Sequence, residues 1–397
     1  MRILVLHSPY LSGPASGENR VVEDEVGLLR SAGHDVQVFV PGRRAGGAGA
    51  VAEGFSAVWS RSATREVAQF VREHRVEVVH CHNLFPALSP AVLRTADRAG
   101  PAVLMTLHNY RLSCLPATFL RDGRVCEDCL AKVPWRGIVH RCYRRSAAAS
   151  AALTTSLTLH RVLRSFERVD RFLAVSEFVR AKHVEAGMPS DRIAVKRNFA
   201  WPVERREGTG DYFLYVGRLS PEKGLPTLLE AWAGVDCRMV IAGDGPDGDA
   251  LRRTAPNDVD FLGAVDPDRI PALLAGARAL VIPSVWYEGA PRAIVEAYAA
   301  GVPVIASRIG ALPEFVNDAV TGLLVPPGDS RALAAAAARL CDDDESLRLG
   351  RGAWAAWSDR YSPEVGLKEL ERAYLDAQSP ATPAGDLLEP AARQESS

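Results

Sequence analysis

Residues 212–224 read YFLYVGRLSPEKG, and this stretch decides the fold class. Its first five residues are apolar or aromatic and predict a buried β-strand that ends at Gly217. Pro221 then favours the first turn of a helix, because a missing backbone N–H costs nothing there. A strand that passes through a short loop into a helix is the repeating unit of a parallel sheet with helices on both faces.

The same alternation fills the chain in two series, separated by the polar stretch 202–210. The first series of predicted strands comprises residues 3–6, 36–40, 76–79, 103–107, 172–175 and 193–195, with helices at 20–32 and 63–73. The second comprises strands at 212–216, 238–242, 279–282 and 304–306, with helices at 225–233 and 291–300. The sequence therefore predicts an α/β protein with two Rossmann-like domains.

The predicted domain limits follow from these series. We expect an N-terminal domain at 1–200, with a cysteine-bearing insertion at about 110–146, and a C-terminal domain at 201–360. A final helix is predicted at 361–377. The tail 378–397 has too little apolar content to fold, so we expect it to be disordered.

Size and composition exclude several function classes. At 397 residues the chain is too long for one ordinary core, and its hydrophobic content of 47% is normal for a globular protein. The 47 basic and 48 acidic residues give a net charge of −1, so no strong overall field recruits nucleic acid or a membrane. No apolar run reaches membrane-spanning length, and residues 1–7 turn polar too early for a signal peptide. We therefore expect a cytoplasmic protein.

Polar residues directly follow several predicted strands, where the ligands of parallel sheets bind. Arg218 and Gly243 follow two strands of the second series, and His108 follows the strand at 103–107 and faces the expected cleft. His80 and His82 follow the third predicted strand and share a face if that strand continues. No neighbouring carboxylate completes a metal site with them, so we expect a structural role for both.

Arg218 and Lys223 are candidate ligands for a diphosphate. Both lie beside the start of a predicted helix, whose exposed amides and dipole add to their positive charge. The alternative is a pair of solvated surface cations, and the residues alone leave both interpretations open.

Residues 283–297, PSVWYEGAPRAIVEA, place two carboxylates eight positions apart. Pro291 predicts that a helix begins between them, with Glu288 in the preceding loop and Glu296 within the helix. Eight helical residues rise about 12 Å, roughly the span from the sugar to the ribose of a nucleotide diphosphate sugar. Amide groups near Ala290 and Ala293 would then face the phosphates. The alternative is a helix-start acid and a surface acid.

A loop of small residues, SGPASGENR at 12–20, connects the first predicted strand to the first helix. It permits close backbone approach to a phosphate or sugar. It lacks the G-x-G-x-x-G spacing of dinucleotide-binding loops, and an ordinary strand–helix turn is the alternative.

Four cysteines form a C-x11-C-x2-C-x12-C pattern within the insertion. These residues are Cys114, Cys126, Cys129 and Cys142. A close pair with two outlying cysteines can build a four-thiolate zinc site, in which His140 is a possible substitute ligand. The alternative is a set of unpaired thiols. Cys81, Cys237 and Cys341 are interpreted as core or helix-end residues.

The insertion is also rich in arginine. It carries Arg111, Arg121, Arg124, Arg136, Arg141, Arg144 and Arg145. Such a run can contact an anionic acceptor or a phospholipid surface, but a solvated face is the favoured interpretation.

These motifs together resemble the family 4 retaining glycosyltransferases of the GT-B fold, over nearly the whole chain. The matching segments are GRLSPEKG at 217–224, GDGP at 243–246, FLG at 261–263, PS at 283–284 leading into the E-x7-E of Glu288 and Glu296, GVPV at 301–304 and GL at 322–323. The cysteine insertion resembles a subset of this family that is often linked to surface polysaccharide assembly.

The resemblance implies two Rossmann-like domains facing across a cleft, with the final helix crossing back to the N-terminal domain. It implies that Arg218 and Lys223 hold the donor diphosphate, that Glu288 contacts the donor sugar and Glu296 the ribose, and that His108 lies near the sugar. The predicted catalytic residues are Glu288, His108, Arg218 and Lys223. The predicted donor-binding residues are Ser16, Gly17, Gly217, Arg218, Lys223, Gly243, Leu262, Glu288, Gly289, Ala290, Ala293 and Glu296.

The resulting prediction is a retaining hexosyltransferase that moves a sugar from a UDP- or GDP-type donor to an acceptor hydroxyl, in polysaccharide, glycolipid or natural-product glycan assembly. Catalysis needs no metal, zinc is a candidate structural ion, and peripheral membrane contact is a candidate interaction. The alternatives are a sugar-nucleotide epimerase of the same fold, which would interconvert free sugar nucleotides, and a non-catalytic nucleotide-sugar-binding subunit, which would bind donor without turnover.

Overall fold

The computed structural model describes residues 1–9, 17–41 and 56–379. Ser16, one of the predicted donor-binding residues, lies outside the described residues. So does 380–397, nearly all of the predicted tail.

Six parallel strands form the sheet of the N-terminal domain. In chain order the strands of this half are Arg2–Leu6 (β1), Asp35–Phe39 (β2), Val78–Cys81 (β3), Ala102–Leu107 (β4), Leu120–Arg121 (β5), Arg124–Val125 (β6), Arg171–Ala174 (β7) and Ile193–Val195 (β8). The sheet order is β2-β1-β3-β4-β7-β8, and β5 pairs with β6 in a separate antiparallel hairpin within the insertion.

Helices cover both faces of this sheet. They are Gly17–Ser31 (α1), Arg61–Glu73 (α2), Ala91–Arg98 (α3), Arg136–Val139 (α4), Ala147–Val162 (α5) and Glu177–Glu185 (α6). Successive strand residues point to opposite faces, so Ile3 and Val5 pack on one side of the sheet while Leu4 and Leu6 pack on the other. This double burial explains why the strands read as continuous apolar runs.

The C-terminal domain repeats the architecture. Its strands are Tyr212–Val216 (β9), Met239–Ala242 (β10), Val259–Gly263 (β11), Ala277–Ile282 (β12), Val304–Ser307 (β13) and Gly322–Val325 (β14). All paired strands are parallel, in the order β11-β10-β9-β12-β13-β14, which is the doubly wound Rossmann order. Its helices are Leu225–Trp232 (α7), Gly248–Thr254 (α8), Ile270–Ala275 (α9), Arg292–Ala299 (α10), Leu312–Phe315 (α11), Ser330–Leu340 (α12) and Asp343–Arg360 (α13).

The last helix, Pro363–Gln378 (α14), returns to the N-terminal domain. Leu370 and Tyr374 on this helix are fully buried in the cluster that contains Ile3 and Val5 of β1. The Tyr374 hydroxyl also lies 2.9 Å from Nδ1 of His80 in β3. The predicted architecture, two Rossmann-like domains with a final helix that returns to the first, is therefore confirmed.

The two domains contact one another at the carboxyl ends of their sheets. The Glu314 carboxylate accepts hydrogen bonds from the backbone amides of Glu177 (2.9 Å) and Phe178 (3.2 Å) at the start of α6. The Asn198 side-chain amide donates to the Ala290 carbonyl at 3.2 Å. Within the described ranges, no helix is both long and apolar enough to cross a membrane.

Candidate active site

Glu288 lies in the loop between β12 and α10 and is only 5% exposed. Its Oε1 atom accepts hydrogen bonds from Lys223 Nζ (2.7 Å) and Ser284 Oγ (2.6 Å). Burial alone raises the pKa of this carboxyl, but the charge and hydrogen bond of Lys223 and the hydrogen bond of Ser284 outweigh it, so the pKa lies below its ordinary value. Glu288 is therefore a buried carboxylate at neutral pH.

The Lys223 loop is held directly against the Glu288 loop. Gly224 adopts a left-handed conformation (φ 71°), and a Cβ atom there would lie 1.9 Å from the Pro283 carbonyl oxygen. Only glycine allows this approach. The Val285 amide also donates to the Glu222 carbonyl at 3.0 Å, so the ion pair forms between two fixed loops.

The loops that follow β9 and β10 also lie in close contact with each other. Gly243 has φ 151°, and a Cβ atom there would lie 1.8 Å from the Gly217 carbonyl oxygen. Arg218 follows Gly217 with an exposed side chain, and its carbonyl accepts a hydrogen bond from the Tyr215 hydroxyl at 2.9 Å. The structure therefore brings Lys223 and Glu288 together and leaves the Arg218 side chain pointing to solvent.

Glu296 lies in the second turn of α10 and has different partners from Glu288. Its Oε1 atom contacts Arg292 Nη2 at 3.0 Å, and the same nitrogen contacts Asp24 Oδ2 of α1 at 2.9 Å. Burial raises the pKa of Glu296, against the opposing charge of Arg292. Trp201 donates to the other oxygen of Asp24 at 3.0 Å. Residue spacing gave no signal for this bridge, because Asp24 and Arg292 belong to different domains.

His108 follows β4 as predicted, and its ring is hydrogen-bonded to a second histidine. Nε2 of His108 lies 2.8 Å from Nδ1 of His82. Burial, followed by the charge of Lys196, places the pKa of His108 well below its ordinary value, so the ring is neutral. A Cβ atom on Gly289 would lie 3.3 Å from the His108 carbonyl oxygen, so the two domains meet beside Glu288.

The surroundings of His80 and His82 correct one expectation from the sequence. His80 lies within β3 rather than after it, and a carboxylate is present: Glu25 of α1. Ligand atoms of Glu25, His80 and His82 all lie within 4.8 Å of one another. Both ring nitrogens of His80 have hydrogen-bond partners, however, at Tyr374 (2.9 Å) and Thr106 (2.7 Å), and Glu25 forms a buried ion pair with Lys196. This arrangement is that of a structural network.

Glu18 is a further cleft residue that sequence reasoning missed. It lies beside Gly17 at the start of α1 and lines a small cavity with His82, His108 and Asn109. Burial raises the pKa of its carboxyl to about 7, although Arg111 and a hydrogen bond from Asn109 (3.2 Å) oppose the shift. Its Oε1 atom is buried and has no hydrogen-bond partner among the described residues. The sequence signal that could have found Glu18 is its position at the start of α1, beside Gly17.

Comparison with known proteins identifies the family. The model of Glycosyltransferase Family 4 matches residues 15–199, and that of Glycosyl transferases group 1 matches residues 210–343. The 2-deoxystreptamine glucosyltransferase of Streptomyces kanamyceticus is 30% identical over 317 residues, which cover 75% of this chain and 78% of that protein. The chain belongs to glycosyltransferase family 4.

A further relative is similar in sequence, and a solved structure is similar in fold. A GDP-mannose-dependent alpha-mannosyltransferase of Corynebacterium glutamicum is 26% identical over 295 residues, or 74% of this chain. The chain spans about two thirds of the length of the first curated relatives that it matches, 66% of this one. The Anabaena HepE structure in complex with UDP and glucose superimposes with a TM-score of 0.65 at 19% identity, covering 94% of this chain and 98% of that one.

The cysteines of this family 4 chain have three kinds of surroundings. The four cysteines of the insertion all line one small cavity, whereas exposed His140 does not line it. Cys341 directly follows α12, as a helix-end residue, and its sulfur is paired with that of Cys237. Cys81 is buried in the core at the end of β3.

Proposed function

We propose that this protein transfers a hexosyl group from a nucleotide diphosphate sugar to an acceptor hydroxyl, with retention of the anomeric configuration. The observation that carries the proposal is the Lys223–Glu288 ion pair (2.7 Å) at the carboxyl ends of the second sheet, where Gly289 meets His108 of the other domain. Parallel sheets bind ligands at this edge. The pair supplies one fixed cation for a phosphate and one fixed carboxylate for sugar hydroxyls.

The cations carry the chemistry in this proposal. As the glycosidic bond to the diphosphate breaks, negative charge grows on the leaving phosphate. Lys223 is already fixed in place, and the exposed Arg218 is free to fold over the phosphate when the donor binds. A fixed charge such as Lys223 stabilises this transition state without reorganising, and it contributes on the order of 10²–10³ in rate. His108 is neutral and would lie near the donor sugar as a hydrogen-bonding group.

We propose that the two glutamates hold one donor at two points. Glu288 contacts the sugar, and Glu296 accepts hydrogen bonds from the ribose. The remaining donor contacts come from backbone and apolar groups: Gly17, Gly217, Gly243, Leu262, Gly289, Ala290 and Ala293. Ser16 completes the set proposed from the sequence.

Retention does not require a covalent intermediate between these carboxylates. A double-displacement pair has its carboxyl groups about 5 Å apart. Glu288 and Glu296 instead sit in separate networks, one with Lys223 and Ser284 and the other with Arg292. Attack from the face of the departing phosphate, which takes the acceptor proton, fits this separation.

The test is nucleotide release from a panel of UDP-, GDP- and dTDP-sugars with hydroxyl acceptors. Glu288→Ala and Lys223→Ala should each lower the release rate by about 10²-fold or more, and NMR of the product should show the donor's anomeric configuration. A matched control is Glu222→Ala, next to Lys223 but directed at Ser220 (2.6 Å), which should retain most activity. Absence of release with every donor, or unchanged release in both variants, would refute the proposal. Interconversion of free sugar nucleotides would favour the epimerase, and donor binding without turnover the non-catalytic subunit.

We further propose a cytoplasmic protein whose insertion contacts the membrane surface. Four large apolar side chains of the insertion are exposed: Val125 at 38%, Val133 at 46%, Trp135 at 56% and Val139 at 66%. Arg136 lies among them, its guanidinium 5.8 Å from the Trp135 ring. Exposed apolar side chains beside an arginine suit an anionic lipid interface. Cosedimentation with anionic vesicles, but not with zwitterionic ones, would support this contact, and Trp135→Ser should reduce it; equal binding by the variant would exclude it.

A further inference from the structure

The four insertion cysteines converge on one place in the fold although they come from separate segments. Cys114 lies in the turns that follow β4, Cys126 and Cys129 follow the β5–β6 hairpin, and Cys142 follows α4. All four line the same small cavity, together with Leu115, Arg121 and Gly137 among others. No two of the four are joined by a disulfide.

The insertion around this cavity contains little regular structure. Its elements are two strands of two residues each and one helix of four residues. Of the eleven described non-glycine residues with positive φ, seven lie in it: Ala117, Phe119, Asp122, Ala131, Arg141, Arg144 and Arg145. Each such residue costs about 1 kcal/mol or more. A segment with so few helical or sheet contacts needs another source of stability, and a structural metal ion supplies one in small loop-rich modules.

A hydrogen-bond donor and two cations lie near the sulfur atoms. The Phe119 amide donates to Cys114 Sγ at 3.3 Å. Arg121 and Arg136 also line the cavity. Such donors and cations stabilise metal-bound thiolates, because four thiolates around a divalent ion carry a net charge of −2.

We propose that Cys114, Cys126, Cys129 and Cys142 bind one Zn²⁺ ion that holds the insertion in its folded form. Four thiolates at about 2.3 Å from the ion would form a closed tetrahedral site. Among the residues that the structure describes, no three of these sulfurs lie within 4.8 Å of one another, so ligation would draw the side chains inward. Exposed His140 lies outside the cavity, which leaves the fourth position to Cys142.

The insertion also reaches the candidate active site. Glu127, between the two central cysteines, forms an ion pair with Lys182 (2.7 Å) and accepts a hydrogen bond from the Tyr287 hydroxyl. The Phe119 ring packs edge-on to the Tyr287 ring, with centroids 6.4 Å apart. Tyr287 directly precedes Glu288, so the ion would also position the loop that carries this carboxylate.

The test is the metal content of the full chain, purified under reducing conditions without a metal-binding tag. Elemental analysis should find about one zinc ion per chain, and Cys126→Ser with Cys129→Ser should lower that content at least about tenfold. Cys237→Ser is the matched control and should retain the zinc, because Cys237 lies in the other domain. Co²⁺ exchanged into the wild type should give the visible bands of a tetrahedral thiolate site.

If the double cysteine variant fails to fold, a second measurement on the wild type alone still tests the proposal. The four thiols should react slowly with a thiol reagent and become reactive when a chelator strips the ion. Less than about a tenth of a zinc ion per chain from zinc-replete medium, or thiols that react equally with and without the chelator, would overturn the proposal. These readouts are independent of sugar transfer, so failure here and failure of the proposed function are distinguishable.

Discussion

Replacement of Lys223 by methionine tests whether Glu288 is held as a buried carboxylate by its ion pair. The Glu288 side chain is 7% exposed and that of Lys223 is 24% exposed. Removing one member of a fully buried pair costs about 3–5 kcal/mol. Because Lys223 is partly solvated and Ser284 still donates to the carboxylate, we expect the variant to lose about 2 kcal/mol of unfolding free energy at pH 8.

The size of this loss depends on pH in a defined direction. The wild-type pKa of Glu288 lies below its ordinary 4.5, so the pair contributes stability above that value, and the contribution is lost as the pH falls through the folded-state pKa. Without Lys223, burial dominates and raises the pKa above 4.5, so the variant loses stability as the pH rises. The difference between wild type and variant should therefore be largest near pH 8 and smallest near pH 4.

Urea unfolding at several pH values measures this difference. Lys223→Met with Glu288→Gln removes both charges and should recover most of the lost stability, whereas nucleotide release should stay about 10²-fold or more below that of the wild type. A loss that is equal at pH 4 and pH 8, or a double variant no more stable than Lys223→Met alone, would refute the buried-carboxylate reasoning.

Three further variants test neighbouring parts of the site and fold by urea unfolding. Burial raises the pKa of Glu18 to about 7, so the wild type loses stability as the pH rises from 4.5 to 7. Glu18→Gln should remove this pH dependence and be more stable than the wild type at pH 8 by up to about 3 kcal/mol. An unchanged pH dependence in the variant would contradict this prediction. Arg292→Ala leaves the partly buried Glu296 carboxylate without its ion-pair partner and should cost about 2 kcal/mol more at pH 8 than at pH 4; a pH-independent cost would count against the bridge. Tyr374→Phe loses its hydrogen bond to His80 and should cost about 1–2 kcal/mol, whereas no cost would show that the bond is not formed.

The sequence predicted the inner strands well because their signal is strong. Strands buried on both faces read as continuous apolar runs, and β9, an inner strand of the second sheet, has the predicted limits. The two strands missed in the second sheet, Val259–Gly263 and Gly322–Val325, are its two edges. An edge strand has a hydrogen-bonded neighbouring strand on one side only. The first of them carries Asp260 and a half-exposed Leu262, so no apolar run marks it.

The site was predictable one element at a time, but its pairings were not. Strand ends and a proline indicated where Lys223, Glu288 and Glu296 would lie, because these signals are local. The contact of Lys223 with Glu288 joins residues 65 positions apart and depends on how two loops pack. The carboxylate beside His82 was missed for the same reason: Glu25 comes from a helix that precedes it in the chain, and no local pattern reports that helix's rotation.

The Arg292 guanidinium contacts carboxylates of both domains. One of its nitrogens contacts both Glu296 (3.0 Å) and Asp24 of the other domain (2.9 Å), and burial raises the pKa of both carboxyls. This partly buried cation divides its charge between the two carboxylates. When ribose hydroxyls bind Glu296, as we propose, they supply donors that Arg292 no longer has to provide, and its charge becomes available to Asp24. Any ligand that changes the hydrogen bonding of Glu296 therefore changes the free energy of the domain contact. By thermodynamic reciprocity, the domain contact changes the affinity for that ligand.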